Sequence, residues 1–262
     1  MNTQRIYLQR QFLCFMSAAL LFVQIALTLP AQSAPRVEPP DATVGGRTIG
    51  EWSGDWWSAA LTSLDFPFPS NVSQAGALGN VKGPVFFAVA SPGPGATVYT
   101  YTVPRGKHVL LPLYTYIWAF TSFTDPCSEL QCAIALADSF VHGTTAMTVR
   151  IDGERVRNLF SHYAATPDFL LAQVPLDGWW AGGDPVYAGL WYGVSSGYWL
   201  MLEPLSPGRH VLSVEVNAPY SSVCADGTQS CDIPSPGPLA VSATTLILTV
   251  PCDEDEDCKA QR

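Results

Sequence analysis

His210-Val211-Leu212-Ser213-Val214-Glu215-Val216 decides the fold class. Successive side chains of an extended chain point to opposite faces. Leu212, Val214 and Val216 therefore share one side, and Val211, Ser213 and Glu215 share the other. That is the alternation of a strand with one buried face. Working outward, 84–90, 96–103, 108–120, 146–151, 169–174, 186–193, 198–202 and 240–250 are rich in Val, Tyr, Phe, Leu and Trp. Gly and Pro punctuate them, as in Ser91-Pro92-Gly93-Pro94-Gly95, Pro104-Arg105-Gly106 and the turn pair Asp152-Gly153. This is strand and turn chemistry. Roughly ten short strands predict a mainly β protein. Its architecture is a two-layer β-sandwich, with a jelly roll among the candidate topologies and one or two short helices laid against it.

The helices come from a change of period. Thr48-Ile49-Gly50-Glu51 has the spacing of a capping box, in which Thr and Glu satisfy each other's backbone amides. Trp52, Trp56, Trp57, Ala60, Leu61 and Leu64 follow on one arc of a helical wheel, with Asp55, Ser58 and Thr62 opposite. A helix to about Leu64 is expected, stopped before Pro67. Leu130, Ala133, Ile134 and Ala137 recur at helical spacing in 125–139, where Asp125-Pro126 suits a helix start.

The N-terminus reads as a signal peptide over 1–33. Arg5 and Arg10 precede an apolar run from Phe12 to Leu29, Pro30 breaks it, and Ala31-Gln32-Ser33 offers small residues at the cleavage positions. An uncleaved anchor is the rival reading, because the run is near bilayer-spanning length. Residues 34–43 are expected to be a disordered lead-in and 44–259 a single β-sandwich domain. Cleavage removes Arg5, Arg10 and no acid, which moves the net charge from −9 to −11. Charged residues make up 13% of the chain, about half the usual share. Such an acidic chain is repelled by nucleic acid and by anionic lipid. Neither a nucleic-acid partner nor stable membrane insertion after cleavage is expected.

Cysteine usage points the same way. Besides Cys14, six remain, spaced as Cys127-x4-Cys132, Cys224-x6-Cys231 and Cys252-x5-Cys258. Six cysteines allow 15 connectivities, of which three nearest-neighbour bridges are the simplest. The spacing is not that of a zinc site, and disulfides are the expected fate in an oxidising, secreted or periplasmic compartment.

Several segments together resemble a known family. They are the Trp-rich helix 51–64, Gly83-Pro84-Val85-Phe86-Phe87, Val103-Pro104-Arg105-Gly106-Lys107 leading into Leu110-Leu111-Pro112-Leu113, and Gly197-Tyr198-Trp199-Leu200-Met201-Leu202 running on to Pro204-Leu205-Ser206-Pro207-Gly208-Arg209-His210. The chain resembles a family of secreted bacterial proteins in which a Trp-rich helix precedes a β-sandwich. Thr115 stands where that family often has Asn. The resemblance implies a bacterial, exported β protein and brings no activity with it.

Chemistry is sparse. Gly193-Val194-Ser195-Ser196-Gly197 matches G-x-S-x-G, a pattern that serves a nucleophile only on a strand-to-helix turn with acid and His following. Strand follows here, so a polar turn between two strands is expected. His108, His142, His162 and His210 lack metal spacing. Glu51 and Asp55 stand i, i+4 on one helical face, where paired acids are usually solvated rather than set across a cleft. Asp253, Asp255 and Asp257 begin like a calcium loop but lack its Gly and distal Glu. No catalytic set, cofactor or metal is expected.

Trp179 and Trp180 are the candidate ligand-binding residues. They sit in Leu176-Asp177-Gly178-Trp179-Trp180-Ala181-Gly182-Gly183-Asp184, and adjacent loop residues do not readily both point inward. One exposed ring beside acids suits a sugar face or a protein partner. The expected function is ligand binding, of glycan or protein, by an extracytoplasmic β-sandwich without enzymatic activity. A secreted hydrolase acting on carbohydrate is the alternative.

Overall fold

The structure, a computed structural model, describes residues 36–64, 81–89, 95–121, 127–217 and 242–252. In chain order the described elements are β1 (Thr43–Val44), β2 (Arg47–Thr48), α1 (Ile49–Thr62), β3 (Val81–Lys82), β4 (Val85–Phe87), β5 (Gly95–Thr102) and β6 (His108–Phe120). They continue with α2 (Leu130–Val141), β7 (Ala146–Ile151), β8 (Glu154–Arg155), β9 (Tyr163–Ala165), β10 (Leu170–Val174), β11 (Gly189–Leu202), β12 (Gly208–Asn217) and β13 (Ser242–Val250). The protein is mainly β, as the alternation at 210–216 predicts.

Two sheets carry the fold. Sheet I has the order β10-β11-β6-β4-β3, with β9 also on β11, and sheet II has the order β5-β13-β12-β7-β8. Both are mixed: β4 runs parallel to β6 and β5 parallel to β13, while their other pairs are antiparallel. The parallel pairs depart from the all-antiparallel pairing of a jelly roll.

Sheet II has one wet face. His210, Leu212, Val214 and Val216 of β12 are buried, as are Thr244, Leu246, Leu248 and Val250 of β13. Between them Ser213, Glu215, Thr245 and Thr249 face outward. Sheet I is covered on both faces along its central stretch, where 85–87, 109–111 and 193–202 are all buried. Register places Phe86, Val109 and Leu202 on one face and Phe87, Leu110 and Met201 on the other. Phe86 meets Tyr101 of sheet II at 5.6 Å, and Phe87 meets Trp52 of α1 at 6.4 Å. β6 and β11 are 13 and 14 residues long, more than twice the usual strand, and they outrun sheet II. Beyond it, α2 covers the same face, with Ala133 and Ala137 packed on Phe120 and Val194.

The helix α1 forms for the reasons its sequence states. Thr48 Oγ1 accepts from Glu51 N (3.2 Å), and the Thr48 amide donates to Glu51 Oε2 (2.7 Å), closing the capping box. Trp52, Trp56, Ala60 and Leu61 are buried. Trp52 Nε1 donates to the Val44 carbonyl (3.0 Å) and Trp56 Nε1 to that of Ala88 (2.7 Å), so neither indole pays for its burial with a lost hydrogen bond. Leu64 departs from the expected arc: it lies past the helix end and is exposed. The helix buries a second flank that apolar periodicity does not mark. A Cβ on Gly50 would lie 2.2 Å from the Ala165 carbonyl oxygen, and one on Gly54 3.1 Å from Thr166 Cγ2. Glycine lets the helix sit directly on 165–170.

Four further expectations are corrected. Residues 193–197 are not a turn between strands: β11 runs unbroken through them, with Ser195 and Ser196 wholly buried. Their glycines serve close backbone approach, since a Cβ on Gly197 would meet Thr115 Cα at 2.5 Å. The start of the lead-in does not dangle from Arg36 onward. Glu38 N donates to Met201 O (2.8 Å), and Glu203 N donates to Arg36 O (3.0 Å), extending the end of β11. Arg36 to Glu38 thereby satisfy backbone groups that would otherwise be left at a strand end. The second helix begins at Leu130, after Cys127, not at Asp125-Pro126, which lies outside the described residues. Residues 186–188 belong to a turn, and β11 starts at Gly189.

Cys127 and Cys132 form a disulfide with Cα atoms 5.2 Å apart, and Cys252 is also disulfide-bonded. Cys224, Cys231 and Cys258, like Asp253, Asp255 and Asp257, lie outside the described residues. Among the described residues no helix is long and apolar enough to cross a membrane.

Candidate functional site

The loop 175–188 joins β10 to β11 and folds on itself. Gly178 N donates to Pro175 O (3.0 Å), Gly182 N to Gly178 O (2.7 Å) and Gly183 N to Leu176 O (2.8 Å). Asp184 Oδ1 takes the Val186 amide (2.9 Å). Gly182 and Gly183 have positive φ, 57° and 88°, which the tight turn requires.

This compact loop decides where Trp179 and Trp180 go. Both are half-buried, and neither ring is fully exposed. Trp179 Nε1 donates to the Ala60 carbonyl at the end of α1. Trp180 turns the other way and meets Trp191 edge-on at 5.9 Å, while the two neighbours meet edge-on at 5.3 Å. Tyr187 then stacks on Trp191 at 6.4 Å with rings 19° apart. Adjacent residues both pack because two apolar walls, α1 and β11, flank the loop.

What this platform presents to solvent is mostly aliphatic, with one aromatic ring, that of Tyr187. Among the described residues eight large apolar side chains are exposed, and five of them, Leu171, Leu176, Val186, Tyr187 and Leu190, fall within 171–190. Leu171 is on β10, the terminal strand of sheet I. Its outer edge carries no strand among the described residues, and 170–174 contains no charge or proline to blunt it. Sequence alone does not mark this surface, because Leu171 and Leu190 read as ordinary strand residues until the sheet order puts them at an edge.

A groove of about 410 Å³ runs beside β10, between 166–171 and the polar flank of α1. Leu170 and Leu171 form one wall; Arg47, Asp55 and Lys82 form the other. Asp55 is held by Arg47 and, at 3.0 Å, by Lys82. The Arg47 guanidinium lies 4.4 Å over the Trp52 ring. Glu51 also lines the groove, but its carboxyl is held below its usual range by hydrogen bonds from the Thr48 backbone and hydroxyl. A general acid needs the opposite shift. The paired acids Glu51 and Asp55 thus serve as helix cap and ion-pair partner.

The histidines are dispersed, and among the described residues no three His, Cys, Asp or Glu side chains gather as a metal would need. His108 Nε2 contacts Glu38 Oε1 at 3.0 Å. His142 caps α2 with its ring stacked on Tyr163 at 6.0 Å. His162 is buried with Nδ1 unpartnered, and desolvation pushes its pKa down.

His210 has a contact that sequence spacing hides. Its Nδ1 lies 2.7 Å from Asp152 Oδ2, and its Nε2 lies 2.9 Å from the Ser206 carbonyl and 3.4 Å from Ser206 Oγ. These are the residue types of a hydrolytic triad, but the shorter Nε2 contact is to a carbonyl oxygen. That contact needs Nε2–H, whereas a general base must offer a lone pair. Asp152 Oδ1 also accepts from Val211 N (2.8 Å). The group ties the β7–β8 turn to the start of β12. Ser195, the serine of the G-x-S-x-G match, lies inside β11 with no exposed surface.

No family model and no curated protein matches the chain. Among solved structures, the complex described as PbICP-C with falcipain-2 aligns at a TM-score of 0.22 and 11% identity, over 65% of this chain and 100% of that one. A likeness that low carries no argument about fold or function.

Proposed function

We propose that this is an exported, extracytoplasmic protein without enzymatic activity, which binds a protein ligand along β10 and the 175–190 platform. The observation that carries the reading is the concentration of exposed Leu171, Leu176, Val186, Tyr187 and Leu190 beside a sheet edge that no strand among the described residues covers. Exposed apolar patches of this kind mark interaction surfaces. An edge strand offers its free amides and carbonyls to an extended partner segment, and side-chain pockets beside it supply selectivity. The groove beside β10 is placed to take alternate side chains of such a segment, with Arg47, Lys82 and Asp55 at its far wall. Glycan binding is the less favoured form of the reading: sugar faces stack on flat exposed rings, whereas Trp179 and Trp180 are engaged edge-on within the platform and Tyr187 is the one exposed ring among four aliphatic side chains. The hydrolase alternative draws no support from Glu51 and Asp55, both of which are committed elsewhere.

The test compares the wild-type protein with Leu171→Lys and Leu190→Ser in a chemical-crosslinking pull-down from the exporting cell's surface fraction and on a glycan array. Loss of one protein species from both variants, with melting temperatures unchanged, is the expected result. Equal capture by all three proteins, or a glycan hit abolished only by Trp179→Ala or Trp180→Ala, would overturn the protein reading.

A further inference from the structure

The outer face of sheet II carries a second surface of different chemistry. The chain has 13 Lys and Arg against 22 Asp and Glu, yet three arginines share the edge formed by β7 and β8. Arg150 and Arg155 are direct cross-strand partners. Ile151 faces the core, so alternation sends Arg150 and Arg155 outward. Val156 turns back against the core, and Arg157 follows it on the outward side. All three are exposed. None has a carboxylate within ion-pair distance among the described residues, and the one hydrogen bond formed by Arg150 is to the Gly153 carbonyl (3.1 Å).

Like charges placed directly opposite on a sheet oppose pairing. An acidic protein that keeps two guanidiniums face to face, with a third two residues along, holds an arrangement that an external anion would relieve. Spacing adds to this. Arg150 is about 5 Å across from Arg155, and Arg157 lies two residues past Arg155, just beyond the end of β8. That is a row suited to successive charges on a polymer rather than to one small ion. Next to it the sheet presents hydroxyls: Thr148 on β7, Ser213 on β12, Thr245 on β13. Two exposed acids lie nearby, Glu154 next to Arg155 on β8 and Glu215 opposite Thr148, and neither forms an ion pair with the arginines. Of the large apolar side chains exposed among the described residues, Val98 is on the far edge strand β5, and Phe160, three residues past Arg157, meets Tyr198 edge-on at 5.5 Å. A lipid surface takes a broad apolar wedge and single-stranded nucleic acid a run of aromatic rings; among the described residues Phe160 is the one exposed ring near Arg157.

We infer that the β7–β8 edge is a binding site for an acidic polysaccharide, with Arg150, Arg155 and Arg157 pairing its carboxylates and Ser213 and Thr245, in register with Arg150, accepting its hydroxyls. Guanidinium and carboxylate match in bidentate geometry, which makes Arg rather than Lys the fitting residue.

Polygalacturonate is the probe, with dextran, single-stranded DNA and phosphatidylglycerol vesicles as comparison arms. Binding is measured at low and physiological salt for wild type, Arg155→Glu and Arg157→Ala. The wild-type protein should bind polygalacturonate and not dextran, more weakly as salt rises. Arg155→Glu should weaken binding by at least about tenfold, the scale of one lost charge-assisted pair with a repulsion added. Arg157→Ala should weaken it less. Arg155→Glu also replaces a like pair with an opposite one, so its melting temperature should hold or rise. A fall of several degrees would show a structural arginine and overturn the inference. So would wild-type protein that ignores polygalacturonate at low salt, or an Arg155→Glu variant that binds as well as wild type. Tighter binding to DNA or to the vesicles than to polygalacturonate would overturn the assignment to polysaccharide.

Discussion

β11 and β12 follow one another in the chain and live in opposite surroundings. β12 alternates strictly, buried and exposed by turns, because sheet II has the core on one side and water on the other. β11 is buried at every position from Gly193 to Leu202, because sheet II and α2 share one of its faces and α1 takes the other. A strand between two packed layers loses the polar half of its pattern. The comparison teaches that stability in this molecule is concentrated in sheet I, while sheet II keeps a face free.

The largest effect that would test this is at Trp199. Its ring is wholly buried and meets Trp56 of α1 edge-on at 5.7 Å. Trp199→Ala should cost about 3–5 kcal/mol, the usual range for deleting a buried aromatic ring. Since a domain holds only about 5–15 kcal/mol in total, a urea melt should show a large fall in midpoint. A cost below about 1 kcal/mol, the level of a surface change, would mean that α1 does not seal that face.

Gly197 comes next. Its φ is 149°, and an added Cβ would lie 2.5 Å from both Thr115 Cα and the Tyr114 carbonyl oxygen. Gly197→Ala should cost about 2–3 kcal/mol through backbone strain and local separation of β11 from β6. Thermal melts read it directly, and a neutral result would show that β6 can move aside.

The same contrast explains what was legible in the sequence. β6, β7 and the capping box of α1 appear where pattern places them, at 108–120, 146–151 and Thr48–Glu51. β11 was not readable as one strand, since Ser195, Ser196 and two glycines look polar and turn-like until both covering layers are known. Gly50 and Gly54 look like poor helix formers because their reason lies in the Ala165 carbonyl and Thr166, more than a hundred residues away. The Trp179–Trp180 pair is legible in the sequence as an aromatic loop. Its exposed neighbours and the arginine cluster are not, because each depends on sheet order and register. Asp152, Ser206 and His210 meet only once β7 and β12 pair, at a separation no local motif encodes.

A smaller effect separates the two buried histidines. His210, beside sheet II, faces acceptors at both nitrogens, whereas His162, beside β11, has no partner at Nδ1 and accepts the Trp199 amide only through its backbone carbonyl. Desolvation lowers the pKa of His162 in the folded state. The unfolded chain then binds the proton more readily, so this contribution is complete above the ordinary His value of about 6.5 and is lost as pH falls below it. Stability should decline from neutral pH toward pH 5, and His162→Asn should flatten that part of the profile. An unchanged slope in the variant would assign the acid sensitivity to other groups.

Ser195→Ala should be nearly neutral. Its hydroxyl is buried with no hydrogen-bond partner, so removal leaves stability equal or higher by up to about 1 kcal/mol. Binding should not change. A loss above about 1 kcal/mol would reveal a partner for that hydroxyl inside sheet I.

The smallest effect belongs to the free face. Thr249 is exposed on β13, opposite Arg209 on one side and Thr102 on the other, and its side chain points away from Leu248 and Val250 in the core. Alanine lowers strand propensity slightly, but β13 is central in sheet II and is held by pairing along both edges. Thr249→Ala should therefore shift stability by no more than about 0.5 kcal/mol. This is the substitution that most sharply divides the two sheets, because between Gly193 and Leu202 of β11 a change of similar size has no outward position to occupy. A cost of 1.5 kcal/mol or more would mean that the outer face of sheet II is covered after all, by a second copy or another part of the chain. In that case the contrast between a sheet closed on both sides and a sheet open on one would fail, and the arginine edge would lose its access to a polymer.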